Sequence, residues 1–201
     1  MDRRVMRRLT GTGLLMLQDR SLPSVAAIVA GEPVRGSWWA HPRAHAIFAI
    51  DRELAGHPDI LTTKLIGRKV TFVHRDLWPA LLSVATSREP WQRRGLSPQA
   101  RRLLARTDAE GAVVSSGAAV KELESRLLVR TEEQHTETGA HRIAVEPWTS
   151  WAARVRCRPA PSVDAAIQTL EEAVGALGGS ASLLPWRRRV SHRVAARRRS
   201  G

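Results

Sequence analysis

GAAVKELESRLLVRTEEQHTETGAHRIAVEPW, residues 117–148, contains the change of period that decides the fold. Val120, Leu123 and Leu127 recur at helical spacing. Leu127, Val129 and Thr131, and later Ile143 and Val145, recur every second residue, as strand positions do. Between the alternating runs, Gln134-His135-Thr136-Glu137-Thr138-Gly139 reads as a polar tip, with glycine placed to supply a positive φ. A short helix therefore runs into a β-hairpin.

Helix followed by hairpin is how a winged helix-turn-helix module ends. The same order is expected earlier in the chain. Met1 to Gln18 can form a helix weakened by Gly11 and Gly13, and Ser24 to Ala30 a short one closed by Gly31. Pro42 suits the first turn of a helix over 43–55, with Ile47, Ile50 and Leu54 on one face. Ile60 to Ile66 and Lys69 to His74 flank Gly67-Arg68, a pair that fits a type II′ turn. Helices are expected over 76–86, from Ser97-Pro98 to about Thr107, and from Ser162 to Leu177, with Ala112 to Ser116 a short connection. The fold class is α+β and mainly helical: two winged-helix-like (helix-helix-β-hairpin) modules and a C-terminal helix. Their expected bounds are 1–86 and 97–151, joined by a linker over 87–96. A helical segment over 152–179 and a basic mobile tail over 180–201 follow.

The net charge of +13 is unevenly placed. Residues 1–8 hold four arginines against Asp2, and residues 187–201 hold seven arginines and no acid. Positions 9–186 then carry 21 basic and 18 acidic side chains, so attraction to phosphate concentrates at the two ends. No run of roughly 18 apolar residues would span a membrane. Gly11, Gly13, Asp19 and Arg20 interrupt the first apolar patch, which argues against a secretory signal. A lone Cys157 excludes an internal disulfide and a cysteine pair for zinc. A cytoplasmic protein without cofactor is expected.

Adjacent tryptophans cannot face one core from an extended strand, so Trp38 or Trp39 is free to stack on a base, with Arg35 holding a phosphate. The alternative is that both indoles pin their loop to neighbouring helices. His41 and His45 are one helical turn apart, but no third ligand completes a metal site. His74 follows a strand without an identifiable acid–base partner. Lys69, Lys121, Arg126 and Arg130 are the expected phosphate contacts. On the outer face of its helix Lys121 stands beside Glu122 and Ser125, with Glu124 nearby, and the two acids there would repel phosphate. Glu32 and Asp76 are the weak candidates for activating water in a base-excising enzyme.

The runs GEPVRGSWWAHPRAHAIF, KVTFVHRDLWPALL and SREPWQRRGL resemble the small bacterial AlkZ-related proteins, which are associated with winged-helix DNA glycosylases of the AlkZ/YcaQ crosslink-repair type. The resemblance spans roughly Leu22 to Trp151, and Gly36-Ser-Trp-Trp and Phe72-Val-His-Arg-Asp-Leu-Trp-Pro are its most specific pieces. It implies tandem winged helices. Those glycosylases use two catalytic glutamines separated by one residue. Glutamine occurs here only at 18, 92, 99, 134 and 168, so no catalytic residue carries over. The expectation is a non-catalytic, DNA-associated winged-helix protein linked to DNA repair, binding DNA through its arginine-rich ends. The alternatives are a DNA glycosylase acting on a damaged base and a protein-interaction module with a protein partner.

Overall fold

The Asp2 carboxylate accepts the backbone N–H of Arg4 at 2.8 Å and so caps α1 (Arg3–Thr12). Gly13 ends that helix at φ +73°, where a Cβ would lie 2.6 Å from Cδ1 of Leu77. This computed structural model describes residues 2–135 and 141–187, so most of the polar tip at 134–139 lies outside the described residues. Past Gly13 the chain is extended. Leu14–Met16 form β1 where a continued helix was expected, and the Leu14, Leu15 and Met16 side chains are all fully buried.

Ser24 caps α2 (Val25–Ala30) through its hydroxyl, and Gly31 closes it at φ +87°. A 3-10 turn over Trp38–Ala40 leads to α3 (Ala44–Ala55), then to the hairpin β2 (Ile60–Thr63) and β3 (Thr71–His74). At the hairpin tip both Gly67 and Arg68 have positive φ, and the Lys69 N–H donates to the Ile66 carbonyl. Positive φ at both central positions is the type I′ pattern, not the expected type II′. The antiparallel sheet runs β1-β3-β2, with Val73 opposite both Leu14 and Leu61.

The second half comprises α4 (Trp78–Thr86), α5 (Pro90–Arg93), α6 (Pro98–Glu110), β4 (Val113–Val114) and α7 (Ala118–Glu124). β5 (Arg130–His135), β6 (His141–Glu146), α8 (Trp148–Val155) and α9 (Val163–Ala176) complete it. Its sheet runs β4-β6-β5. Each half thus reads helix, strand, helical segment, hairpin, with the first strand beside the last. The correspondence begins at α1 and α6. The α+β, mainly helical class is as expected.

Alternation along the first sheet sorts its side chains into two cores. Leu15, Ile60 and Phe72 pack with α1, α2 and α3. Leu14, Met16, Leu61 and Val73 face the other way, into a core shared with α4, α8 and α9. Leu170, Val174 and Leu177 belong to that second core, each stabilising by roughly 1.5–3 kcal/mol on burial. The C-terminal helix is therefore a layer of the N-terminal half, not an appendage. A third core, including Leu104, Val120, Leu123 and Val145, belongs to the second half.

Two expected boundaries change. Residues 87–96 are no loose linker: Gln92 is fully buried and donates to the carbonyls of Ala85 and Arg126, while its own carbonyl accepts the Glu89 N–H at 2.8 Å. The packed fold also runs past 180. Leu184 is fully buried, and the Trp186 indole N–H donates to Glu171 at 2.9 Å. Residues 188–201 lie outside the described residues.

Candidate functional site

Residues 33–50 contain no Asp or Glu, and both adjacent tryptophans fall within them. The 3-10 turn stacks the two rings, with centroids 4.0 Å apart and planes inclined by 24°. Trp38 is 6% exposed and belongs to the core with Val34 and Ile47. Trp39 is 61% exposed. Phe48, on the next helix, is 41% exposed and lies 5.4 Å from Trp39. One indole is thus structural and the other faces solvent.

Trp38 also lines a cleft of about 430 Å³ whose walls include Gln18, Asp19, Arg20, Lys64, Arg68 and Lys69. The Gln18 side-chain amide donates to the Gly36 carbonyl at 2.6 Å, tying the tryptophan loop to the sheet. Asp19 accepts the backbone N–H groups of Ser21 and Leu22 and pairs with Lys69 at 2.7 Å. Burial pushes the Asp19 carboxyl up, but Lys69 and the two N–H groups outweigh it and hold the carboxyl well below the usual range. Asp19 therefore stays charged and neutralises Lys69. Lys64 reaches across to Glu124 of α7 at 2.8 Å. Arg20 and Arg68 have no ion-pair partner among the described residues, so they give the cleft its available positive charge.

The other candidates scatter. Arg35 is exposed just before the stacked pair. His74 sits at the end of β3 remote from the Lys64–Val70 connection, its Nδ1 3.1 Å from Asp76. Lys121 is exposed on α7. Arg126 donates to the carbonyls of Trp91, Gln92 and Arg94, and Arg130 is held by Glu132 and Glu146, so both serve the fold. Glu124, expected only near the outer face of its helix, is buried. It is 7% exposed, pairs with Lys64, and accepts the Thr131 hydroxyl at 2.6 Å. Glu32 and Asp76 are exposed and line neither this cleft nor the groove between α6 and α7. His41 accepts the Arg43 backbone N–H. Among the described residues no three His, Cys, Asp or Glu side chains come together to hold a metal.

The sequence singled out neither Arg20 nor Arg68. Arg68 was legible as a tip residue of the first hairpin, but nothing local marks Arg20, which reaches the cleft through the fold. A second, wider groove of about 670 Å³ lies between α6 and α7 and includes Arg102, Arg106 and Ser116. The four arginines of the basic N-terminal end ride exposed on α1, whose Val5 and Leu9 are fully buried. Among the described residues no helix is long and apolar enough to cross a membrane. Comparison with protein-family models, curated proteins and solved structures gives no match.

Proposed function

We propose that the chain is a DNA-associated protein built from two winged-helix units and without catalytic activity of its own. The observation that carries this reading is the cleft beside the first hairpin tip, where Arg20 and Arg68 stand unpaired next to Trp38. Cations at a hairpin tip are where a wing meets the sugar-phosphate backbone. The order helix, strand, helical segment, hairpin, with the first strand against the last, supports the winged-helix assignment in each half. A link to DNA repair rests on the resemblance to AlkZ-related proteins alone.

Base excision needs a carboxylate or amide poised to activate water within the binding cleft. The carboxylate in this cleft, Asp19, is tied up by Lys69 and two backbone N–H groups, and the Gln18 amide in its wall is held by the Gly36 carbonyl. That favours binding over catalysis. The test is charge reversal of both free cations, Arg20→Glu with Arg68→Glu, followed by duplex affinity across a salt series. Loss of two phosphate contacts is expected to lower the salt slope by about 2. Unchanged affinity and slope would remove the cleft from the interface. Release of a base from alkylated DNA by the parent protein would overturn the non-catalytic assignment.

A further inference from the structure

We infer that Trp39 and Phe48 form a stacking platform for an unpaired nucleobase, so that the preferred DNA is single-stranded or carries an extruded base. The inference rests on the DNA-association reading above and specifies which form of DNA is bound. Trp39 and Phe48 are two of the large hydrophobic side chains left exposed among the described residues, and their rings adjoin. Trp39 is held in place from behind by the stack on buried Trp38, so a ligand meets a ring that is already ordered. Trp38 lines the basic cleft as well, which puts the platform next to Arg20 and Arg68.

Size and charge choose the occupant. Two partly exposed rings fall far short of the roughly 800 Å² per partner that a stable protein interface buries. They match one or two bases. The surrounding segment, residues 33–50, has no acid and carries Arg35, Arg43 and two histidines, so it suits a polyanion. Every base offers a π face to an indole, and a fully paired duplex keeps those faces covered.

The experiment uses the full chain at physiological ionic strength with three labelled probes: an oligothymidylate of about 16 nucleotides, a matched duplex, and the same duplex with one bulged base. Trp39→Ala is expected to weaken the oligothymidylate and the bulged duplex roughly 5- to 150-fold, the range for one lost stacking contact. The matched duplex should change by no more than about twofold, and Trp39→Phe should keep most of the affinity because an aromatic face remains. An unchanged melting temperature for Trp39→Ala checks that the fold survives. Equal weakening on all three probes, or none, overturns the platform. So does a dimer, seen by sedimentation, that Trp39→Ala dissolves. Failure of the parent protein to bind any probe would instead sink the DNA-association reading itself, and the two failures are distinguished by which protein shows them.

Discussion

Trp38 and Trp39 are neighbours in sequence and partners in a stack, yet only one is held by the core. Trp38→Ala should therefore cost about 3–5 kcal/mol in denaturant unfolding, as removal of a buried ring does, whereas Trp39→Ala should cost under about 1 kcal/mol. Asp51 makes a second contrast. Burial, with Glu133 adding to it and Arg52 opposing, pushes its carboxyl up from the usual range. A raised carboxyl favours the protonated folded state, so this group's contribution falls as pH rises through the shifted value. Asp51→Asn should accordingly raise the melting temperature at neutral pH and flatten that dependence. That the two tryptophans must divide their roles was legible from their adjacency. Which one stays in solvent was not, because the docking of α3 and the sheet decides it. Glu124 escaped prediction for a similar reason: its partner Lys64 lies 60 residues away.

At the scale of elements, the hairpins and most caps followed from local chemistry. Ser24, Ser97 and Ser162 each accept the backbone N–H three residues on. The two missed strands, β1 and β4, are three and two residues long. The side chains of β1 are buried on both faces, so no polar alternation marks it as a strand. Gly13 separates α1 from β1, and Gly13→Ala is expected to lose at least about 1–3 kcal/mol in thermal or chemical unfolding from the positive φ alone. Leu77 would have to move as well.

The second hairpin is joined to α8 by Glu146, which receives Arg130 from β5 and a bidentate pair of hydrogen bonds from Arg154. Burial works to raise the Glu146 carboxyl, but the two arginines win and lower it from 4.5. A lowered carboxyl contributes stability above its unfolded value and loses it as pH falls through the folded one. Parent protein should thus lose stability on acidification below about 4.5, and Glu146→Gln should be less stable at pH 7 by about 1–3 kcal/mol with that acid slope reduced. Urea midpoints at a series of pH values measure both.

For the whole molecule, the notable outcome is how tightly the parts are joined. Gln92 fastens the expected linker to both halves, and α9 completes the core under the first sheet. Charge counting placed the basic character at the two ends; the N-terminal arginines are exposed on a packed helix, whereas Arg187 pairs with Glu171. The sequence could show where basic residues are dense; it could not show which cations the fold leaves unpaired. Arg20 and Arg68 emerge only when the tryptophan loop and hairpin tip meet.

The central claim is that the folded body, and not its arginine-rich end, reads DNA. It is tested most directly by duplex and single-strand affinity over a salt series, for the full chain and for a chain ending at Arg187, which keeps every packed element described above. The shorter chain is expected to retain salt-dependent binding that Arg20→Glu with Arg68→Glu weakens, with the salt slope lowered by about 2. Complete loss of binding with residues 188–201 would contradict the account.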